Sequence, residues 1–446
     1  MTQITHVIKR SGAVVPFTHE RITNAIYRAA VAVGGRDRSI AEKLSQQVIQ
    51  VLEDRQEQQG PPTIEEIQDL VEKILIENGH ARVAKAYILY REERARKRKE
   101  RAELASRPSE NIPWAKIWHI LDWAVDQGVH TTACLSERIR KGDFPEIVQA
   151  SEKMYEIDVE NAVEMIKTRE DELRIVIITG PSSSGKTTTT TKIGKRLERL
   201  GLKLVTLNVD NYFYNLDMHP KDEFGDYDFE TPQALDLPLI NEHLANLING
   251  QQVLIPFYDF KTGMRTDKLT PMVLKQNEVI LIDSLHGLYA DMTSSVPDEQ
   301  KFKLYLEPLM QIKNSIGEYA RWTDIRLMRR MLRDAAHRAY DPRQTLNHWH
   351  YVRSSEMRNI IPYISTTDYI INSAMPYELC LYRSKLIHQF ETWVREFEND
   401  PLRVDAFTRA QRTLNIIKEI PGVDNDHDVP GDSVIREFIG GSTLEY

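Results

Sequence analysis

Eight residues, Gly180-Pro181-Ser182-Ser183-Ser184-Gly185-Lys186-Thr187, spell GxxxxGK[ST], and the chemistry of that spacing is phosphate binding. The two glycines let the backbone wrap so that successive N–H groups face an oxyanion, and a helix beginning at Lys186 adds the positive end of its dipole. Lys186 is placed to reach β and γ phosphates and the Thr187 hydroxyl to ligate magnesium. Gly180, Ser182, Ser183, Ser184, Gly185 and Thr188 complete the expected cradle. Downstream, Leu204 to Val209 ends at Asp210. If that strand lies beside the phosphate-loop strand, its carboxylate sits near the γ phosphate and accepts the proton of an attacking hydroxyl; the plainer reading is a loop cap. Val279-Ile280-Leu281-Ile282 ends at Asp283, the form of a second magnesium ligand. Between 324 and 334, Arg326, Arg329, Arg330 and Arg333 recur at helical spacing. Two or three share a face, where they stabilise the charge of a transferring phosphoryl group; the alternative is an ordinary surface helix.

These residues need elements to hold them. From about residue 171, apolar runs at 174–179, 202–209, 253–257, 279–281, 302–306 and 369–371 alternate with helical stretches. That alternation predicts an α/β fold with a mainly parallel sheet, spanning 171–446 with a C-terminal helical extension. A first part, 1–105, opens with two short apolar runs around Gly12, a hairpin signature. Thr18 is placed to cap a helix, and Thr63 with Glu66 form a capping box for another. The charge run from Arg91 to Arg101 mixes both signs and suits an exposed helix. Residues 106–170 read as a helical connector whose Trp114, Trp118 and Trp123 need a packing surface.

The 446 residues carry 58 basic and 66 acidic side chains, a net charge of −8. A general nucleic-acid binder is more often basic, so no nucleic-acid partner is expected. The two cysteines, Cys134 and Cys380, cannot build a zinc ribbon or a disulfide framework. No apolar run is long enough to span a membrane, and Met1 to His6 does not open a secretory signal. The expectation is a cytoplasmic chain.

Over about 171–375 the chain resembles the uridine kinase and phosphoribulokinase family of P-loop kinases. The resemblance rests on Gly180 to Thr188, Asp210-Asn211-Tyr212-Phe213, Tyr227 to Pro232, Ile255 to Phe260, Asp283-Ser284-Leu285-His286-Gly287 and the arginine helix. It implies ATP and Mg2+ as cofactors and phosphorylation of a small-molecule hydroxyl. By that likeness Asp210 is the catalytic base, Asp228 binds acceptor hydroxyls and Tyr258 lines the acceptor pocket. Asp283 replaces the family's usual Glu beside magnesium. Arg326, Arg329 and Arg333 belong to the lid helix, with Arg338 and Arg353 as weaker candidates. Two departures stand out. Gly263 falls where uridine kinases carry a pyrimidine-reading His, and Phe229 replaces the His that follows the ribose-binding Asp. Lys261 and Arg265 then point to an anionic acceptor as an alternative. Over about 4–95 the chain resembles an ATP-cone, carried by Val7 to Gly12, Phe17, Glu20-Arg21-Ile22 and Asn78 to Arg91. The likeness implies that Lys9, Arg10 and Arg21 hold phosphates of ATP or dATP, that Val7 and Ile22 border the adenine, and that subunit association responds to nucleotide. The expectation is therefore a kinase with its own nucleotide-sensing domain, acting as a homo-oligomer. The competing readings are a kinase for a sugar phosphate or phosphoglycerate and a non-enzymatic ATP sensor.

Overall fold

The computed structural model describes residues 4–8, 14–59, 61–104, 111–220, 231–337 and 341–445. The chain divides into two compact units, one of residues 1–109 and 397–404 and one of 110–396 and 405–446. In the first, β1 (His6–Ile8) pairs antiparallel with β2 (Val14–Pro16), with Val7 opposite Val15. The expected turn at Gly12 lies outside the described residues. Four helices follow, α1 (His19–Ala32), α2 (Arg38–Gln59), α3 (Ile64–Glu77) and α4 (Ala81–Leu104). Their apolar stripes meet in one core around Ile22, Ile26, Val48, Leu70, Ile74 and Leu75. The Thr63 box is formed in both directions. Its hydroxyl accepts from the Glu66 N–H at 3.2 Å and the Glu66 carboxylate accepts from the Thr63 N–H at 2.7 Å. Thr18 occupies the first cap position but makes no side-chain cap bond.

The second part begins with α5 (Trp114–Asp126), α6 (Thr132–Lys141) and α7 (Phe144–Thr168). It continues through β3 (Ile175–Thr179), α8 (Lys186–Arg199), β4 (Lys203–Thr206), α9 (Leu237–Ile248), β5 (Val253–Asp259), β6 (Met264–Met272), β7 (Glu278–Asp283) and β8 (Lys301–Glu307). After these come α10 (Trp322–His337), α11 (Pro342–Asn359), β9 (Tyr369–Asn372), α12 (Glu378–Phe397), α13 (Val404–Ile417) and the short α14 (Arg436–Ile439). Five strands form a parallel sheet in the order β4-β7-β3-β8-β9. The central β3, Ile-Val-Ile-Ile-Thr, is buried along its whole length, as a strand covered on both faces must be.

Two expectations are corrected here. β4 does not lie beside the phosphate-loop strand, because β7 stands between them and β4 is an edge. The 253–257 run does not join the parallel sheet. It forms an antiparallel hairpin with β6, a strand whose polar, largely exposed residues gave no apolar signal. The 106–170 segment, expected as a helical connector, forms α5, α6 and α7. On α7, the Tyr155 hydroxyl meets Thr189 of α8 at 2.7 Å, and the buried Asp158 carboxylate accepts from the Asn372 N–H and the Tyr369 hydroxyl, each at 3.0 Å.

Candidate active site

Every strand of the parallel sheet ends at the same edge, where ligands bind in open α/β sheets. There β3 gives way to the phosphate loop. Gly180 crosses so close to β8 that a Cβ would lie 2.4 Å from the Leu306 carbonyl oxygen. Ser183 and Gly185 both take the left-handed conformation, at φ 61° and 96°, which turns successive N–H groups inward as an anion nest. The Ser183 and Ser184 hydroxyls are buried without a partner among the described residues. Lys186 Nζ folds back on the Gly180 carbonyl at 2.8 Å. Burial pushes its ammonium down from the usual lysine range, and Asp283 pulls it back up. Thr187 is exposed at the mouth.

β7 brings Asp283 into register with Ile178 of β3, so the carboxylate stands next to the loop. Burial raises it above the usual carboxylate range while Lys186 lowers it, and the Thr190 hydroxyl donates to it at 3.4 Å. Asp210 sits past the end of β4, in a 3-10 turn over Val209–Tyr212 held by the Asn208 side chain. Its carboxyl opens to solvent in a crowded cleft. That crowding raises it, and the Lys186 charge acts in the opposite direction. Although β4 is an edge strand, Asp210 and Asp283 thus both lie within the field of Lys186.

The arginines of α10 divide into two kinds. Arg326 and Arg329 are fully buried. Arg326 donates to Glu307 at 2.8 Å, to both oxygens of Glu356 and to the Ser182 carbonyl at 3.1 Å. Arg329 donates to both oxygens of Glu378 at 2.7 and 3.0 Å, to the Ser373 carbonyl at 2.6 Å and to the Ser184 carbonyl at 3.3 Å. Burial works against both charges, and the paired carboxylates more than offset it. The expectation that these two reach the transferring group is therefore corrected. Their donors are spent on loop carbonyls and carboxylates. Arg330 meets the Ser182 hydroxyl at 2.8 Å. Arg333 faces Asp334 and Glu437, each at 3.8 Å. Arg353 pairs with Glu356 at 3.1 Å, and Arg338 lies outside the described residues.

Beside Asp210 the hairpin builds an aromatic stack. His219 stacks on Phe213 and Tyr258, at 5.4 and 6.1 Å between ring centres, and Phe260 meets Tyr258 edge-on at 5.0 Å. Tyr258 is buried with its hydroxyl unpartnered among the described residues. Arg265 is held between Asp236 at 3.0 Å and Asp267 at 2.8 Å, so its charge is already countered. Asp228 lies outside the described residues. In the first unit, a cavity of about 180 Å3 brings together Val7, Arg21 and Ile22 with Phe17, Gln68 and Tyr87. An adjoining hollow of about 400 Å3 shares Gln68 and Tyr87 and adds Arg28 and Arg91. Only the larger reaches the ~300 Å3 at which ligand pockets begin. Lys9 and Arg10 lie outside the described residues.

Three residues were given no role from the sequence. His219 joins the stack from a loop. His286 is buried with both ring nitrogens unpartnered among the described residues, and burial, with Lys186, pushes it down to about 4. Glu437 reaches the start of α8, where its Oε2 accepts from the Thr188 N–H at 3.2 Å and the Thr188 hydroxyl at 3.1 Å. A carboxylate in that place is a stand-in anion, and with the nest and Lys186 it shows that the donor set suits phosphate. Among the described residues no three His, Cys, Asp or Glu converge as an all-protein metal site. Magnesium does not need one, because it is held by one or two carboxylates together with substrate phosphates.

A phosphate-binding loop at a parallel-sheet edge, with two carboxylates in the field of its lysine, defines a P-loop nucleotide-binding protein. The family model described as phosphoribulokinase / uridine kinase matches residues 175–379, and the ATP cone domain model matches 5–96. A uridine kinase of Macrococcus caseolyticus is 30% identical over 164 residues, covering 37% of this chain and 70% of that protein. Uridine-cytidine kinase B of Dictyostelium discoideum is 29% identical over 164 residues, and the match spans 59% of its length. A vitamin B12-dependent ribonucleoside-diphosphate reductase of Thermoplasma acidophilum is 42% identical over 103 residues, 22% of this chain and 13% of that protein. The chain belongs to the phosphoribulokinase/uridine kinase family, whose members use ATP and Mg2+, and it carries an ATP cone domain. Among the described residues no helix is long and apolar enough to cross a membrane.

Proposed function

We propose that this chain is a kinase that transfers the γ-phosphate of ATP to a hydroxyl of a small molecule bearing a planar ring, as a nucleoside does. The observation that carries the reading is the Phe260 ring, 61% exposed and seated edge-on against the buried Tyr258 and Phe213 of the stack beside Asp210. That exposed face can hold a flat ring while the carboxylate three residues before Phe213 takes the proton of the attacking hydroxyl. Magnesium-bound ATP supplies the phosphoryl group, and Thr187 and Asp283 are the residues to hold the metal. Lys186 and the N–H groups from Gly180 to Thr188 bind the phosphates. Arg326 and Arg329 keep the loop in shape from behind. Asp228, by the family likeness, binds acceptor hydroxyls.

The neutral acceptor is favoured over a sugar phosphate or phosphoglycerate because Arg265 is countered by two carboxylates. A pure ATP sensor has no use for a base at Asp210. Residues 1–105 act as a regulatory domain that takes ATP or dATP across the two adjoining cavities, the one lined by Val7, Arg21 and Ile22 and the larger one lined by Arg28 and Arg91, and changes how subunits associate. Both cysteines are free thiols, in keeping with work in the cytoplasm. A screen of nucleosides, sugar phosphates and glycerate for acceptor-dependent ADP release tests the reading. A nucleoside is expected to give the largest release. A response confined to anionic acceptors would overturn the ring-bearing acceptor, and nucleotide binding with no acceptor response would favour the sensor.

A further inference from the structure

The C-terminal stretch after α13 is not a passive tail. Val434, Ile435 and Phe438 are fully buried, and the Phe438 ring lies 5.0 Å beneath the Arg329 guanidinium. Ser433 reaches the Tyr377 hydroxyl at 3.2 Å, and Asp432 pairs with Lys192 of α8 at 3.0 Å. The stretch is seated against the phosphate loop itself, because a Cβ on Gly185 would lie 2.4 Å from the Val434 side chain. From this seat α14 delivers Glu437, whose side chain is 9% exposed.

Thr188 is in the first turn of α8, where N–H groups have no partner within the helix. The N-cap, Gly185, has no side chain to serve them. A phosphate oxygen in the cradle needs the Thr188 N–H, and the Thr188 hydroxyl is the donor next to it. Both already donate to Glu437 Oε2, while Oε1 lies 3.8 Å from Arg333. One carboxylate therefore withholds two phosphate donors and sits against an arginine of α10. It and a phosphate carry the same sign of charge and cannot share these donors.

We propose that Glu437 is an internal competitor for the nucleotide phosphates, a latch that must leave Thr188 before a nucleotide di- or triphosphate is fully seated. The inference rests on the reading of the loop as an ATP site. It makes the C-terminal stretch a control on affinity: whatever draws α14 away releases the Thr188 N–H and hydroxyl from Glu437.

The test measures binding of ADP, a non-hydrolysable ATP analogue and adenosine to the full chain by calorimetry. The proteins are the wild type, Glu437→Gln, Glu437→Ala and each of these with Lys186→Ala. Removing a charge-assisted competitor from two donors is worth about tenfold or more in affinity. Glu437→Ala is expected to tighten ADP and the analogue by that factor. Glu437→Gln, which keeps the shape, is expected to tighten them by about threefold. Adenosine, without phosphates, binds equally to all, and Lys186→Ala abolishes the gain. If ADP binds the wild type in a Lys186-dependent way but neither Glu437 variant binds it more tightly, the latch is wrong and the ATP site stands. If adenosine and ADP both weaken in the variants, Glu437 is a structural cap and the latch is likewise overturned. If none of the proteins binds ADP, the ATP-site reading fails and takes the inference with it.

Discussion

Replacing Arg329 by methionine separates a positioning role from a catalytic one. The guanidinium is fully buried and makes two bonds to Glu378, two to Ser373 and two to the carbonyls of Ser183 and Ser184. Its partner Glu378 is equally buried. When the arginine is gone that carboxylate keeps the Met375 N–H at 2.9 Å, the neighbouring Tyr382 hydroxyl and the positive end of α12. A buried charge stripped of its partner costs about 3–5 kcal/mol. For a unit of this size that is a fall of roughly 6–10 °C in Tm, at about 2 °C per kcal/mol. The double change Arg329→Met with Glu378→Gln removes both charges and is expected to recover at least about half of the loss. Scanning fluorimetry on the four proteins reads the cycle, and titration with ADP reads the loop. Binding and Tm should fall together, because the same donors hold the Ser183 and Ser184 carbonyls. Lys186→Ala, by contrast, should lose nucleotide binding with Tm little changed. A Tm within about 2 °C of wild type for Arg329→Met, corresponding to about 1 kcal/mol, would refute the reasoning, as would losses that simply add in the double variant.

Two further outcomes follow from groups already placed. His286 is held neutral, with its titration depressed from 6.5 to about 4. A base whose folded pKa is lowered contributes stability above its unfolded pKa and loses it as pH falls from 6.5 towards 4. At pH 5 the wild type should therefore have lost about 2 kcal/mol relative to pH 7 that His286→Asn retains; parallel pH profiles of Tm would show that the ring titrates normally. In the first unit, calorimetry on full-length Lys186→Ala is expected to leave one nucleotide site, and adding Arg21→Ala to remove it together with any nucleotide-dependent change in sedimentation. The coupling between sites should be about 1–3 kcal/mol, and unaltered sedimentation with ATP or dATP would reduce this domain to a packing module.

What could be read in advance was local. The Thr63–Glu66 box and the phosphate loop are each complete within eight residues, so spacing alone carries them. The apolar runs of β3, β7, β8 and β9 announced a parallel sheet for the same reason. Strand order was not legible, because Lys203 pairs with Glu278 and nothing near either residue says so. β6 was missed because its residues are largely exposed and polar, so it lacks the alternation that a strand with one packed face would show. The arginine helix was read as charge offered to a phosphoryl group, yet Arg326 and Arg329 are neutralised by glutamates 19 to 49 residues away. Glu437 meets Thr188 across 249 residues. Its carboxylate has no motif of its own, and only the folded chain brings it to the cradle.

Phosphoryl transfer with Asp210 as the base can be tested by comparing two proteins. Wild type and Asp210→Asn are incubated with ATP, Mg2+ and the best nucleoside acceptor, and phosphorylated product is followed by mass spectrometry alongside ADP affinity. The wild type is expected to give nucleoside phosphate and the variant to form it at least ~10²-fold more slowly, with ADP bound equally well by both. Product formed at the same rate by Asp210→Asn, or no phosphorylated nucleoside from a wild type that binds ADP, would contradict it.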